Sequence, residues 1–281
     1  MFKINILLAT YNGEKYLNEQ LDSLFSQTFQ DFKIIIRDDQ STDNTLEIIK
    51  EYQVLYQNRI ELLEDNLGNL KSSKSFMKLL EYSKAEYLMF CDQDDIWLPT
   101  KIEVSFNRLK ELEQKDNTIT PLLVFTDLKV VDEKLNTMHE SFWKYQKLIP
   151  EISKYWKKLL AQNVVTGCTM IINKQAKDVC FPFELEMMIH DQWISVNVAK
   201  HGKIDYINEQ TILYRQHGNN VAGAHSYGYK YIVQKLLKIK KLFEYFDNAS
   251  EYFRDISLLE LLFYKISLNI HRIIRQQNEK N

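Results

Sequence analysis

Glycine, proline and cysteine are all scarce in this chain of 281 residues: seven, four and three, respectively. So little glycine and proline excludes collagen-like and low-complexity architectures and leaves nothing for long flexible linkers. Cys91, Cys168 and Cys180 are odd in number and have no paired spacing, which excludes a disulfide framework. No Cys-x-x-Cys or His-x-x-x-His spacing offers a zinc site. No run of about 18 uncharged apolar residues occurs, so no membrane-spanning helix is expected. The nearest, Leu258–Ile274, is broken by Glu260, Lys265 and Arg272. The apolar run Ile4–Ala9 is too short for an export signal, and with free thiols this points to the cytoplasm. An excess of one charge is also missing: 36 Lys and Arg face 38 Asp and Glu, so nothing global suggests nucleic acid. The first strand-like run lacks a following Gly-x-Gly-x-x-Gly, and neither Gly-x-x-x-x-Gly-Lys-Ser/Thr nor Gly-x-Ser-x-Gly occurs. A dinucleotide fold, a phosphate loop and a serine hydrolase elbow are therefore set aside.

What is present is alternation. Apolar runs at Ile4–Thr10, Lys33–Ile36, Ile60–Leu63 and Tyr87–Phe90 read as buried strands. Between them, Glu14–Ser26, Thr45–Tyr52 and Asn69–Ser83 carry helical spacing. Strand, turn and helix in rotation predict a parallel sheet covered by helices, an α/β fold. Further on, Lys101–Gln114 reads as a helix, Leu122–Val131 and Gly167–Ile172 as strands, Asp191–Lys200 as a helix and Ile212–Tyr214 as strand-like. The aromatic, poorly patterned stretch Asn136–Lys158 reads as a loop or lid over a site. After Gly223 the composition shifts. From His225 onward ten Lys and Arg outnumber six Asp and Glu, and Tyr229–Lys241 carries five lysines and no acid. The spacing of Ile232, Leu236, Ile239, Phe243 and Phe246 makes that stretch a basic amphipathic helix. Residues 1–223 are expected to form the main domain and 224–281 a helical appendage.

The chemistry concentrates in Asp92-Gln93-Asp94-Asp95, directly after the fourth strand. In an α/β sheet ligands bind at such strand ends. Three carboxylates in four residues repel one another unless a cation lies among them, and a hard divalent ion with oxygen ligands suits them. The alternative is a solvated acidic turn.

Four segments in register, Ala9-Thr10-Tyr11-Asn12-Gly13, Asp38-Asp39-Gln40-Ser41-Thr42-Asp43, Asp92-Gln93-Asp94-Asp95 and His190-Asp191-Gln192-Trp193, resemble the family-2 inverting glycosyltransferases of the GT-A fold. The resemblance covers about residues 1–220. With Ile96-Trp97 and Arg215-Gln216-His217-Gly218-Asn219-Asn220 added, it looks most like the rhamnosyltransferases of bacterial surface polysaccharides. The resemblance implies a Rossmann-like, mostly parallel sheet and an inverting hexosyl transfer from dTDP-rhamnose or a UDP-hexose to a glycan hydroxyl. It implies Mg²⁺ or Mn²⁺ held by Asp94, with His217 as a further ligand, and Asp92 on the ribose or a metal-bound water. Asp95 either supports that site or is an incidental acid. Thr10, Tyr11, Asn12 and Gln93 fall in the donor-binding segments, and Asp39 falls where the base is read. A carboxylate accepts the N3–H of uracil or thymine, and cytosine lacks that proton. Asp38, Asp39 and Asp43 can instead cap the next helix. Arg215 is a candidate for the diphosphate, or part of a solvated turn. Asp191 is the candidate general base, or a helix cap. Trp193 either stacks on the acceptor sugar or is a core residue. Gly167 matches a position under the donor or acceptor, beside Cys168, which reads as a small buried residue.

Two rivals stand beside this reading. One is a catalytically silent nucleotide-sugar-binding protein on the same scaffold. The other is a glycosidase, for which no paired acid exists outside the cluster. The acceptor can be lipid-linked, and the tail is expected to lie on an anionic membrane or to pack against the catalytic domain or a second subunit as a homodimer.

Overall fold

The apolar runs become the centre of one sheet. A computed structural model describes residues 2–115, 120–184, 187–218 and 239–278. Strand β1 (Ile4–Thr10) is flanked by β2 (Phe32–Asp38) and β4 (Tyr87–Cys91), both parallel to it, and β3 (Ile60–Leu62) continues the sheet beyond β2. All five residues of β4 are buried, as a strand covered on both faces requires. Helices α1 (Leu17–Phe25), α2 (Thr45–Leu55) and α3 (Lys71–Tyr82) make the crossovers and bury Leu17, Leu21 and Leu24, Ile48 and Ile49, and Phe76, Leu79 and Leu80.

The second half departs from the parallel plan. The sheet order is β3-β2-β1-β4-β8-β6-β9-β5, where β5 is Ile96–Trp97, β6 Leu122–Val131, β8 Met170–Asn173 and β9 Lys203–Arg215, with β7 (Thr137–His139) beside β6. Strand β8 runs antiparallel to both β4 and β6. The long β9 runs parallel to β6 and antiparallel to the two-residue β5. Through that short pairing Ile96 lies opposite Leu213, and the acidic turn before β5 is tied to the end of β9. Helix α4 (Lys101–Lys115) follows the turn and covers β6 and β8.

The stretch expected to be a lid is a packed segment. Strand β7 (Thr137–His139), α5 (Phe142–Tyr145), a 3-10 turn over Pro150–Lys154 and α6 (Trp156–Ala161) lie in it. Phe142 and Trp143 are buried, Trp143 edge-on to Phe125 and Tyr206. After α7 (Lys174–Asp178), α8 (His190–His201) packs on α6. Helices α9 (Ile239–Phe253) and α10 (Leu258–Asn278) bring Phe246, Ala249, Phe253, Leu261 and Leu268 into the same core as the sheet. The expected boundary near residue 223 and the basic stretch up to Lys238 lie outside the described residues. Of the expected apolar stripe, Phe246 is buried, whereas Ile239 and Phe243 are exposed. Among the described residues no helix is long and apolar enough to cross a membrane.

Candidate active site

Three strand ends and one helix start converge. At the end of β1, Thr10 is buried and donates from Oγ1 to Asp38 (2.8 Å). Tyr11 is half exposed. Asn12 takes a positive φ of 48°, accepts from Thr42 N through Oδ1 and donates its own N–H to Ser41. Gln93 reaches across from the acidic turn and clamps Tyr11 at both ends, Oε1 accepting Tyr11 N (2.8 Å) and Nε2 donating to Tyr11 O (3.0 Å). The β1 loop and the acidic turn thus form one wall.

Asp39 is buried at the end of β2. Its Oδ1 accepts from Arg37 (2.5 Å) and Leu70 N (2.7 Å), and Oδ2 from Lys71 N (2.7 Å). It therefore anchors the start of α3, while Asp43 accepts from Thr45 N ahead of α2. Capping is divided between two acids and two helices.

In the acidic turn, Asp94 Oδ2 lies 2.7 Å from His217 Nε2, although 123 residues separate them. His217 also packs against Tyr16, with ring centroids 4.9 Å apart. Asp92 belongs to a second grouping: ligand atoms of Asp92, Asp95 and Cys168 lie within 4.8 Å of one another. Burial, then the charges of Asp94 and Asp191, push the Asp92 pKa up to about 7. Asp92 is thus within electrostatic reach of both Asp94 and Asp191. Carboxylates that raise one another's pKa form a pocket of surplus negative charge, which fits a divalent cation. Among the described residues the groups that could serve it are Asp92 with Asp95 and Cys168, and, beside them, Asp94 with His217.

Asp191 stands in the first turn of α8. Oδ1 accepts from Asn163 Nδ2 (3.1 Å) and Gln192 N (2.5 Å), and Oδ2 from Gly167 N (3.2 Å). Burial raises its pKa to about 7, against the lowering effect of these donors. The buried His190 ring favours glycine at 167, since a Cβ there would lie 2.8 Å from His190 Nε2.

Two expected contacts are corrected. Trp193 is 1% exposed, donates from Nε1 to Cys180 O (2.7 Å) and packs on Phe183 and Tyr252, so it is a core tryptophan with no face for a sugar. Arg215 is 2% exposed. Its Nε donates to Asp94 O (2.9 Å), its other nitrogens to Glu133 O and the Glu19 carboxylate, and its backbone N to Asp95 (3.0 Å). The guanidinium braces the acidic turn from behind and has no free edge for a diphosphate.

The model of glycosyl transferase family 2 matches residues 5–178. The chain belongs to that family. The dTDP-rhamnosyl transferase RfbG of Shigella flexneri is 31% identical over 225 residues, which cover 77% of this chain and 74% of that protein. The uncharacterized glycosyltransferase MJ1057 of Methanocaldococcus jannaschii is 28% identical over 94% of this chain and 86% of its own length. Among solved structures, Staphylococcus aureus TarS 1-349 in complex with UDP-GlcNAc matches with a TM-score of 0.60 at 18% identity, covering 96% of this chain and 72% of that one. The UDP complex of the same protein matches at 0.55 and 22%, with this chain spanning 60% of its length. These likenesses show the GT-A fold, and the chain is a glycosyltransferase.

Sequence reasoning missed the support of this family-2 site. His190, stacked on Phe76 at 4.4 Å, has no hydrogen-bond partner on either ring nitrogen among the described residues, and burial lowers its pKa to about 3, so it is neutral. Lys101 is fully buried beneath the acidic turn, its Nζ 4.5 Å over the Trp97 ring. Neither Lys101 Nζ nor Asp95 Oδ2 has a hydrogen-bond partner among the described residues. Burial lowers the Lys101 pKa to about 8 and raises that of Asp95 well above the usual carboxylate range. Lys101→Met keeps the apolar stem and removes a buried charge, so it should hold or raise stability in urea unfolding. A loss of more than about 1 kcal/mol would show that the ammonium has a partner it depends on.

Proposed function

We propose that this enzyme transfers one sugar, with inversion and with help from a divalent cation, from a nucleotide-diphosphate donor to a glycan hydroxyl in bacterial surface polysaccharide synthesis. The observation that supports this reading is that the acidic turn, where Asp94 meets His217, and the start of α8, where Asp191 accepts from Gly167 N, both act on Asp92. It supports a reading in which an anion-neutralising centre and a general base share one site. Asp191 would accept the proton of the acceptor hydroxyl as its oxygen bonds to the anomeric carbon, and the bond from that carbon to the diphosphate breaks on the opposite face. A raised pKa suits the task, because a base poised near neutrality is both ionised and able to hold a proton. A bound divalent cation, Mg²⁺ or Mn²⁺, would supply neutralisation of the charge left on the diphosphate. Asp94, His217 and Asp92 would hold it.

Thr10, Tyr11, Asn12 and Gln93 form the donor wall. RfbG is named as a dTDP-rhamnosyl transferase and TarS was solved with UDP-GlcNAc, which supports a dTDP- or UDP-linked sugar. Asp39 carries the base reading: Oδ2 accepts one N–H, from Lys71, and keeps a lone pair for a base N3–H. Uracil and thymine satisfy it and cytosine leaves it unpaired, so CDP should bind at least about tenfold more weakly than UDP. Equal affinities by calorimetry would remove Asp39 from base recognition. Gly167, against Asp191, belongs to the acceptor side. Three buried free cysteines suit a reducing, cytoplasmic setting. The overall test is a panel of UDP- and dTDP-sugars, assayed for binding and turnover with and without metal. Binding without turnover, with every donor and a glycan acceptor present, would leave a silent binding protein.

A further inference from the structure

Helix α10 is apolar on two opposite faces, and the body of the protein covers one. Leu261 and Leu268 are buried there, Lys265 donates to Ala161 O (2.8 Å), Arg272 reaches Gln146 O and Glu260 pairs with Lys157 at 3.0 Å. At about 100° per residue, Leu259, Phe263, Ile266, Ile270 and Ile273 lie on the other side. Their spacing is four, three, four, three, the rhythm of a seam between two helices. Leu259 is 77% exposed, Phe263 66%, Ile266 59% and Ile270 51%, and Ile274 widens the stripe at 50%. A helix with apolar residues on both faces is expected to be buried on both.

We propose that a second copy of this chain covers the open face, the two α10 helices pairing about a two-fold axis. Charge decides for a protein partner over a lipid surface. A helix lying on an anionic membrane carries Lys and Arg along the flanks of its apolar face. Here the flanking positions are Leu262, Ser267, Asn269 and His271, and Lys265 and Arg272 are tied to the body. The stripe exposes roughly 600 Å², at the top of the range for a monomer and close to the ~800 Å² that each partner buries in a stable complex. A two-fold axis brings the same stripe opposite itself, so one uncharged, regularly spaced surface supplies both halves.

Sedimentation of the full chain at about 50 µM should give twice the chain mass. Phe263→Glu/Ile270→Glu should give a monomer, with self-association at least about 100-fold weaker. Its melting temperature should match that of the protomer, since both side chains are largely exposed. Ile266→Cys, near the middle of the stripe, should form a disulfide dimer on mild oxidation in either helix direction, the native cysteines being buried. A wild-type monomer, or a double variant as dimeric as wild type, overturns the proposal. A monomer that floats with phosphatidylglycerol vesicles through the stripe assigns the face to lipid.

Discussion

Asp94→Ala should abolish sugar transfer and weaken donor binding while leaving the fold standing. The fold survives because the turn is held by its backbone and by neighbours: Arg215 grips the Asp94 carbonyl and donates its backbone N–H to Asp95, and Gln93 clamps Tyr11. None of these contacts uses the Asp94 side chain. What the substitution removes is the carboxylate beside His217 and one of the two charges that press on Asp92. If a cation is held there to neutralise the departing diphosphate, transfer should fall by about 10³-fold or more. Turnover of a labelled donor, with calorimetry for donor affinity and a melting curve for the fold, separates these effects. Full activity of Asp94→Ala in EDTA-treated buffer would sink the metal role.

The residues that announced this site were those whose chemistry is conspicuous in one dimension. Asp92-Gln93-Asp94-Asp95 follows an apolar run, so both the strand and the acids at its end could be read. The parallel half of the sheet was legible for the same reason: β1 and β4 are continuous apolar runs, and helical spacing lies between the strands. The antiparallel insertion of β8 between β4 and β6 was not, because a four-residue apolar strand has no sequence mark of its direction. Strand β5 is two residues long and exists through its pairing with β9. For Arg215 and Trp193 two readings stayed open because a residue type declares what it can bind, not which side of the chain it faces. Arginine suits a phosphate as well as a carbonyl, and here Arg215 serves the carbonyls of Asp94 and Glu133 and the Glu19 carboxylate. The burial of Lys101 has no mark in the amphipathic spacing of α4. That burial depends on α4 following the turn that holds Asp95, a three-dimensional fact.

Asp191→Asn should retain donor affinity and lose about 10²–10⁴-fold in kcat, the usual worth of a general base. Asparagine keeps the size of the side chain and an oxygen for the Asn163 and Gln192 donors, and loses only the 3.2 Å acceptance from Gly167 N, so α8 should stay in place. A variant within about threefold of wild type, ~0.6 kcal/mol, would reduce Asp191 to a helix cap. The pH dependence gives a second, independent reading. With its pKa raised to about 7, mainly by burial, Asp191 is ionised above that pH and protonated below it. The wild-type kcat should therefore climb about tenfold per unit below pH 7 and level off above it, whereas the residual activity of Asp191→Asn should lack that limb. Stability should run the opposite way. A carboxyl whose folded pKa exceeds its unfolded value of about 3.9 favours the fold while protonated. That contribution is complete below about pH 4 and is lost as the pH rises through 7. Asparagine does not titrate, so the melting temperature of Asp191→Asn relative to wild type should shift in the variant's favour between pH 5 and pH 8. A difference that stays flat across that range would mean that the carboxyl is not strained by burial, and the base would lose its poise near neutrality.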